Sequence, residues 1–373
     1  MNTSKKYILI DVVPPTVKRE DAMQDLDEMV SLIKTYGGGK IVEIIQRRAN
    51  PHPGTYIGSG KAEEVAGLIE KYHIDTIIIN GIASSTQQYK LLKMYWKVNP
   101  NIEVWDRVDL ILHIFDKHAR TIEAKLQIKL AQMQHMGPRM YGLSEELGKQ
   151  GAGVGSKGAG ETNAEIMKRH WRDQIKGTKD QLIKISKGRQ AQLDHRRAIG
   201  FKTISIVGYT NAGKTTLFNI LAKKEKLAKD VLFATLESAV GKLYLPEIRT
   251  QLMVTDTIGF IQKLPPKLID AFKSTLMESI NATLLLHVID ASDPKMYDKI
   301  NVVHEILTEI GIGDKKQLYV FNKTDSISEA HAEEIRLNHV TNHSMYDCIF
   351  ISSQNGKGIE ELKIKIGEMV KWG

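Results

Sequence analysis

A glycine-rich segment near the middle of the chain has the residue types and spacing of a phosphate-binding loop. It reads Gly208-Tyr209-Thr210-Asn211-Ala212-Gly213-Lys214-Thr215, which fits the pattern G-x-x-x-x-G-K-[ST]. The apolar run 203–207 before it predicts a buried strand, and residues 216–223 after it predict a helix. Glycines let backbone N–H groups turn toward phosphate oxygens, and the helix dipole favours negative charge there. We therefore expect Lys214 to reach the β- and γ-phosphates, Thr215 to ligate Mg²⁺ and Thr216 to line the same site.

Three further motifs each follow an apolar run that predicts a strand. They are Asp256-Thr257-Ile258-Gly259, Asn322-Lys323-Thr324-Asp325 and Ser352-Ser353-Gln354. Asp256 can hold Mg²⁺, directly or through water, and the N–H of Gly259 can sense a γ-phosphate. Asp325 can accept two hydrogen bonds from the guanine edge, whereas adenine lacks the 2-amino group and would leave the carboxylate unpaired. The serine-rich motif predicts a loop that closes over the base.

Each short motif is weak evidence by itself. Asp256 could be a turn residue, and Asp325 could be a helix N-cap. Their order along the chain, each after a predicted strand, favours GTP over ATP as the ligand, with GDP as the product.

The segment between the phosphate loop and Asp256 holds a candidate switch threonine. It reads Leu232-Phe233-Ala234-Thr235 and continues to Glu237. Thr235 is the candidate to bind Mg²⁺ and to order the loop around the γ-phosphate, and an ordinary strand threonine is the alternative. We expect Lys214, Thr235 and Gly259 to take part in hydrolysis.

Two residues bear on the rate of that hydrolysis. Phe260 follows Gly259, where many GTPases carry a glutamine that orients the attacking water. Phenylalanine cannot hydrogen-bond water, so we expect a low intrinsic rate and an activating partner. Asn211 resembles the asparagine of GTPases that use a monovalent cation such as K⁺. A local turn hydrogen bond is the alternative that the residue type favours.

Positive charge is concentrated in the middle of the chain. The 373 residues carry a net charge of +8 and have a pI near 9.2. Residues 117–200 hold 17 lysines and arginines against 8 aspartates and glutamates, so this stretch accounts for essentially the whole excess. A basic helical segment predicts contact with RNA phosphates, and a solvated helix face is the alternative.

Composition otherwise indicates a cytoplasmic globular protein. The single cysteine, Cys348, excludes an internal disulfide and suits a reducing compartment. The longest apolar runs have the length of strands, and we expect neither a signal peptide nor a membrane helix.

The elements that must position these motifs predict an α/β fold in three parts. Residues 1–110 alternate strands with helices, which indicates a parallel sheet. In residues 111–200 the pattern predicts one long helix over 109–140, a glycine-dense tip loop over 148–160 and a second helix over 163–197, which together form a hairpin arm. Residues 201–373 form the predicted GTPase domain with a mostly parallel sheet, closed by a helix over 357–372.

Several longer segments resemble the HflX family of GTPases. They are G-Y-T-N-A-G-K-T-T-L-F-N at 208–219, L-F-A-T-L at 232–236, D-T-I-G-F-I at 256–261, Thr55-Tyr-Ile-Gly-Ser-Gly-Lys61, Asp106-Arg107 and A-R-T-I-E-A-K-L-Q at 119–127. The resemblance spans essentially the whole chain. It implies a cytoplasmic, Mg²⁺-dependent GTPase, monomeric off the ribosome, that docks on the large ribosomal subunit and splits or rescues stalled or idle ribosomes under stress.

The resemblance also implies that the N-terminal part and the arm contact ribosomal RNA, and it links the family to some ATP use. The chain departs from the family pattern after Thr235, in the glycine loop at 157–161 and over 80–87. A remodeller of RNA away from ribosomes, or a GTP-switched module for a membrane protease, are the rival interpretations.

Overall fold

The computed structural model describes residues 5–151, 163–224, 232–233, 238–263, 268–269, 276–342 and 346–371. The chain divides into two compact units. The first comprises Met1–His118 and Lys125–Leu182, and the second comprises Ala119–Ala124 and Ile183–Gly373. Two of the three boundaries between these units fall inside long helices, the third falls after His118, and the division at 1–110, 111–200 and 201–373 stays a prediction.

The first unit contains a parallel sheet with the strand order β2-β1-β3-β4. Its strands are β1 (Lys6–Val13), β2 (Lys40–Arg47), β3 (Thr76–Ile79) and β4 (Glu103–Asp106), and its helices are α1 (Arg19–Tyr36), α2 (Ser59–Tyr72), α3 (Ser85–Tyr95) and α4 (Arg107–His118). The isoleucines of the two central strands are fully buried in the core between sheet and helices. The predicted parallel sheet with packed helices is therefore confirmed.

Helix α3 begins at Ser85. Ser84 and Gln87 form a capping box, in which the Ser84 hydroxyl accepts from the Gln87 N–H at 3.2 Å and the Gln87 side chain accepts from the Ser84 N–H at 2.8 Å. This reciprocal pair satisfies two N–H groups that a helix start otherwise leaves exposed.

The hairpin arm consists of α5 (Ile122–Gly151) and α6 (Asn163–Ala198). The prediction of one helix over 109–140 was wrong, because α4 ends at His118 and the Thr121 hydroxyl caps a new helix by accepting from the Ala124 N–H at 3.2 Å. Gly137 lets the arm helices approach, since an added Cβ would lie 2.7 Å from the Trp171 Nε1. Residues 148–151 of the predicted tip loop belong to α5, and residues 152–160 lie outside the described ranges.

The second unit contains a mostly parallel sheet with the strand order β10-β9-β8-β5-β7-β6. Its strands are β5 (Thr203–Gly208), β6 (Ala239–Leu245), β7 (Thr250–Asp256), β8 (Leu284–Asp290), β9 (Gln317–Asn322) and β10 (Asp347–Phe350). Its helices are α7 (Lys214–Ala222), the short α8 (Met277–Ile280), α9 (Met296–Glu309), α10 (Glu329–Asn342) and α11 (Ile359–Lys371). The pair β6–β7 is antiparallel, and the other pairs are parallel.

This topology brings the four predicted motifs to one edge. In a parallel sheet all carboxyl ends lie at the same edge, where α/β proteins bind their ligands. The phosphate loop follows β5, Asp256 ends β7, Asn322 ends β9, and Ser352 follows β10. Among the described helices, none has an apolar stretch long enough to cross a membrane.

Candidate active site

The phosphate loop is shaped by two glycines whose backbone angles and surroundings exclude other residues. Gly208 has φ 145° and Gly213 has φ 92°, both in the region that favours glycine. An added Cβ would collide with the Val288 carbonyl oxygen at Gly208 and with the Asn322 side chain at Gly213. Asn211 also has a positive φ, 63°, which asparagine tolerates better than most residues. The loop therefore passes close to two neighbouring strands before α7 begins at Lys214.

Lys214 is buried at the start of α7, and its ammonium donates a hydrogen bond to the Tyr209 carbonyl oxygen at 2.5 Å. Burial lowers the pKa of Lys214 to about 8; Asp256 opposes this shift and Lys323 adds to it. A buried ammonium inside the loop is placed to interact with phosphate oxygens, whose negative charge would favour the protonated form.

Thr215 and Asp256 form the pair of oxygens expected for a magnesium site. The Thr215 hydroxyl donates to the Asp256 Oδ2 at 3.0 Å, and Asp256 is fully buried. Carboxylate and hydroxyl oxygens are the hard ligands that Mg²⁺ prefers. The next residue, Thr257, is held by a hydrogen bond from its hydroxyl to the Ile206 carbonyl at 2.7 Å. The end of β7 is thereby attached to β5.

The segment after Asp256 pairs with the phosphate loop through its backbone. The Thr210 N–H donates to the Phe260 carbonyl at 2.7 Å, and the Phe260 N–H donates to the Gly208 carbonyl at 3.1 Å. Gly259 lies so close that an added Cβ would be 2.8 Å from the Thr210 Cα and 3.0 Å from the Lys214 Nζ. The neighbouring Ile258 and the Phe260 ring are buried. Gly259 is thus placed beside the lysine that would meet the γ-phosphate.

Side chains of the phosphate loop also contact both flanking segments. The Tyr209 hydroxyl accepts from the Gln262 N–H at 2.9 Å, and the Lys299 ammonium lies 4.8 Å from the centre of the Tyr209 ring. The Thr210 hydroxyl accepts from the Phe233 N–H at 3.0 Å. Phe233 and Leu232 are described, whereas Ala234 and Thr235 lie outside the described residues. The side chains of Tyr209 and Thr210 therefore hold neighbouring chain segments against the loop.

Asn322 connects the phosphate loop with the serine-rich loop. Its Nδ2 donates to the Ala212 carbonyl at 2.9 Å, and its Oδ1 accepts from the Ser353 N–H at 2.9 Å. Asn322 and Ser353 are both buried. The Ser353 hydroxyl has no hydrogen-bond partner among the described residues, although it is buried. A buried hydroxyl without a partner is costly in a protein interior, so this position suits a polar ligand group.

Asp325 is exposed at the same edge and is held by the serine loop. The Ser352 hydroxyl donates to the Asp325 Oδ1 at 2.5 Å, and this hydrogen bond is the main reason that the pKa of Asp325 is lowered. The Thr324 N–H donates to the Ile351 carbonyl at 3.2 Å. Gln354 is exposed one residue beyond Ser353. The carboxylate is therefore ionised and open to a base.

Sequence reasoning missed three residues that support the site. Asp290, at the end of β8, binds the Lys323 ammonium at 2.7 Å, while Lys323 itself has φ 64°. Lys299 packs on the Tyr209 ring as described. His287 is buried in β8, and burial, together with His304 and Lys214, lowers its pKa to about 3. Asp290 could have been found from its position at a strand end, whereas Lys299 and His287 give no signal in the sequence.

Comparisons with known proteins match successive parts of the chain to families of GTP-binding GTPases. The family described as GTP-binding GTPase N-terminal matches residues 23–116, the GTP-binding GTPase Middle Region matches 118–196, and the 50S ribosome-binding GTPase family matches 203–323. A protein named GTPase HflX from Caldanaerobacter subterraneus is 38% identical over 339 residues, which cover 91% of this chain and 75% of that protein. The protein of the same name from Escherichia coli is 36% identical over 340 residues, covering 91% and 78%.

Solved structures that align with nearly the whole chain support the fold. A crystal structure of SsGBP in complex with GDP aligns over 99% of both chains with 25% identity and a TM-score of 0.55. A GTP-binding protein from the archaeon Sulfolobus solfataricus, also in complex with GDP, aligns over 99% of both chains with 25% identity and a TM-score of 0.50.

Proposed function

The chain belongs to the HflX family of GTPases, and from this premise we propose how its site recognises and hydrolyses GTP and which partner the reaction serves. The observation that carries the proposal is the convergence of four motifs at one sheet edge. The phosphate loop, Asp256, Asp325 and Ser353 follow four strands of one sheet and lie at its carboxyl edge. Phosphates, metal and base of one nucleotide require such a set of groups.

Guanine selection is assigned to Asp325. Its lowered pKa keeps the carboxylate ionised, so that it can accept hydrogen bonds from the guanine N1–H and 2-amino group. Asn322 acts differently, because both ends of its amide are used inside the protein, on Ala212 and Ser353. Asn322 would position the base-binding loop relative to the phosphate loop, and the serine loop would close over the base.

Phosphate binding is assigned to the loop N–H groups and to Lys214. The glycines at 208 and 213 leave no space for side chains, so the backbone itself forms the cradle. Thr215 and Asp256 fit Mg²⁺ by their oxygens and by their separation of 3.0 Å, and Thr235 is proposed as the third residue of this set. When bound, Mg²⁺ neutralises charge on the β- and γ-phosphates. Gly259 would hold the γ-phosphate with its N–H.

Slow intrinsic hydrolysis follows from Phe260. Its ring is 2% exposed and offers no hydrogen bond to the attacking water. Another group must therefore orient the attacking water, and a partner that contacts the segments around Thr235 and Gly259 could supply it. Asn211 is a second candidate participant, since its carboxamide oxygen could hold K⁺ near the phosphates.

The proposed partner is the large ribosomal subunit, and the proposed role is to split or rescue stalled or idle ribosomes in the cytoplasm under stress. Two observations support it. The family that matches 203–323 is described as a 50S ribosome-binding GTPase. The hairpin region 117–200 carries a net charge of +9, which suits the phosphates of ribosomal RNA.

Base selection can be tested with Asp325→Asn. An amide in place of the carboxylate should weaken GTP binding by about tenfold to two-hundredfold, since a hydrogen bond to a charged group contributes about 1.5–3 kcal/mol and the amide, which keeps one acceptor oxygen, loses one of the two. Binding of xanthosine triphosphate should improve, because xanthine offers an oxygen where guanine offers the 2-amino group. Unchanged GTP affinity in the variant would show that the base lies elsewhere.

The ribosomal role can be tested by sedimentation with purified subunits. The protein should migrate with large subunits in the presence of a non-hydrolysable GTP analogue and less with GDP. It should also convert idle ribosomes to free subunits when GTP is present. Equal distribution with both nucleotides would favour an RNA-binding role away from ribosomes, and an absence of co-migration would remove the proposed partner.

A further inference from the structure

Arg189, on the arm helix α6, is the centre of an ion-pair and hydrogen-bond cluster in the second unit. Its Nη1 donates to both carboxylate oxygens of Glu123 at 3.3 Å. Its Nη2 donates to the Ser238 hydroxyl at 2.6 Å, and its Nε lies 3.9 Å from the Glu278 Oε1. The side chain of Arg189 is 22% exposed, so the cluster is largely shielded from water. One guanidinium thus holds three separate chain segments.

These three segments belong to different parts of the nucleotide-binding unit. Glu123 lies in the first turn of α5, and Ser238 directly precedes β6. In the chain, Ser238 follows the proposed switch threonine, Thr235, by three positions. Glu278 lies on the short helix α8 and is 3% exposed. Arg189 therefore connects the base of the arm with the segments that flank β6 and β8.

Helix α8 is in turn attached to the strands that carry the site. The Ser279 hydroxyl lies 2.7 Å from the Ser205 hydroxyl on β5, and the Ser205 hydroxyl accepts from Thr255 on β7 at 3.0 Å. All three residues are fully buried. Strand β5 leads into the phosphate loop, and β7 ends at Asp256. The position of Glu278 is therefore fixed relative to the groups that would hold phosphate and metal.

Arginine suits this position for a geometric reason. Its guanidinium presents N–H groups in a planar fork, which can face Glu123, Ser238 and Glu278 at the same time. A lysine ammonium keeps the charge but acts as a single point and cannot reach three separate groups. Two carboxylates around one guanidinium also compensate its positive charge in this shielded environment.

We propose that Arg189 is a positioning residue for GTP hydrolysis, a proposal that rests on the proposed function of the site. Arg189 does not touch the nucleotide. It fixes Ser238, and with it the start of β6, against the rigid platform of α8. Ala239, the next residue, pairs with Asp256 of β7, so the start of β6 would be held beside the proposed metal ligand. Such an effect should reduce turnover more than nucleotide affinity, since a misplacement of about 1 Å can slow a reaction about a hundredfold.

The test compares Arg189→Ala and Arg189→Lys with Lys187→Ala, which removes a charge from an exposed position of the same helix. For the full chain, kcat and KM for GTP, the Mg²⁺ concentration for half-maximal rate, the Kd for GDP and the Tm are measured. Arg189→Ala should lower kcat by about tenfold to a hundredfold and raise the Mg²⁺ requirement, with the Kd for GDP within about twofold. The kcat and Mg²⁺ requirement of Arg189→Lys should lie between those of Arg189→Ala and the wild-type protein, and those of Lys187→Ala should match the wild-type protein.

A second variant keeps the proposal testable if Arg189→Ala fails to fold. Ser238→Ala removes the 2.6 Å hydrogen bond without removing charge, and should lower kcat in the same direction. In the double variant Ser238→Ala, Arg189→Lys, the two losses should be less than additive, because both act through one contact.

The outcomes separate this proposal from the proposed function. Lys214→Ala is measured in parallel and should abolish hydrolysis. If it does so while Arg189→Ala and Ser238→Ala keep wild-type kcat, the positioning role is wrong and the site stands. A uniform loss of GDP affinity and Tm, with no separate effect on kcat, would reduce Arg189 to a structural residue and overturn the proposal. If Lys214→Ala retains wild-type turnover, the proposed site itself is wrong.

Discussion

The side-chain amide of Asn322 donates a hydrogen bond to the carbonyl oxygen of Ala212 over 2.9 Å, and this contact joins the base-binding end of the site to the phosphate loop. The other end of the amide accepts from the Ser353 N–H, also at 2.9 Å. Asn322 is 1% exposed, so both hydrogen bonds are sheltered from water. The residue thereby sets the distance between two loops of the proposed nucleotide site.

Asn322→Ala should therefore weaken GTP and GDP equally. The substitution leaves a buried carbonyl and a buried N–H without partners, which costs about 1–3 kcal/mol of stability for each. It also removes the link between the two loops, so the affinity for both nucleotides should fall by about tenfold. Titration with fluorescent analogues of both nucleotides measures the effect. Asp325→Asn serves as the contrast, because it should change the choice of base. An Asn322→Ala variant that discriminates between GTP and GDP would contradict the proposed role of Asn322 in joining the two loops.

Thr215→Ala should separate metal dependence from nucleotide binding. The Thr215 hydroxyl is 3.0 Å from the Asp256 Oδ2, and its loss removes one oxygen from the proposed magnesium site. Turnover at saturating GTP should fall to background, and the Mg²⁺ dependence of GTP binding should weaken. Thr216→Ala, one position further, is the matched control and should retain the Mg²⁺ dependence. Wild-type turnover in Thr215→Ala would mean that the metal is held elsewhere.

The positions of these motifs were predictable because local chemistry determines them. A phosphate loop needs Gly208, Gly213 and Lys214 at fixed spacing, and the sequence contains this spacing whatever the rest of the fold does. The location of the motifs at the carboxyl edge of the sheet followed from the same reasoning, since each motif comes at the end of an apolar run that predicts a strand. Predictions of the N-terminal parallel sheet and of the arm hairpin likewise depended on periodicity, which is strong in those segments.

Strand β6 and the Arg189 cluster were not predictable, because both depend on tertiary contacts. β6 (Ala239–Leu245) alternates buried and exposed residues from Gly241 onward, and the glycine at the first buried position weakens the apolar pattern. That glycine is needed because an added Cβ would lie 3.3 Å from the Phe218 ring and collide with Ala222. Arg189 lies in a strongly charged helix, where nothing in the local sequence distinguishes it from the exposed lysines around it.

His287 should make the stability of the second unit sensitive to acid. Its pKa is lowered to about 3 by burial, with His304 and Lys214 contributing, and its Nδ1 has no hydrogen-bond partner among the described residues. In the unfolded chain the pKa of a histidine is about 6.5, so the unfolded state takes up a proton below that pH while the folded state does not. The stability that the neutral ring provides to the folded state is therefore fully present above pH 6.5. It is lost as the pH falls toward 3, by about 1.4 kcal/mol per pH unit.

Urea unfolding of the nucleotide-free protein at pH 7 and pH 5 tests this expectation. Between these pH values the free energy of unfolding should fall by about 2 kcal/mol more in the wild-type protein than in His287→Phe, which keeps a ring next to Tyr319. His331→Gln, at an exposed histidine on α10, should show the wild-type pH dependence. An equal pH dependence in His287→Phe and the wild-type protein would exclude the buried ring as its source.

Hydrolysis in potassium and in sodium tests the role of Asn211. The residue has φ 63° inside the phosphate loop, a conformation that a local turn also explains. If its carboxamide oxygen holds K⁺, turnover in KCl should exceed turnover in NaCl at equal ionic strength, and Asn211→Ala should remove the difference. Equal rates in the two salts would leave Asn211 as a turn residue.

Stimulation by the large subunit connects the buried Phe260 with the basic arm. Since Phe260 cannot orient water, the isolated protein should hydrolyse GTP slowly, and groups that supply order or charge in other GTPases change rates by about 10³–10⁵. Lys168, Arg169 and Arg172 lie on α6 near its start, where they could meet RNA phosphates first.

Turnover is measured with and without large subunits, for the wild-type protein and for a variant with these three residues changed to glutamine. Large subunits should stimulate turnover by the wild-type protein and much less by the variant. Binding of both proteins to the subunit should weaken as the salt concentration rises, and the affinity of the variant should depend less steeply on salt because it contacts fewer phosphates. A wild-type protein that large subunits do not stimulate would remove the partner, whereas equal stimulation of both proteins would leave the partner and exclude these three residues from the contact.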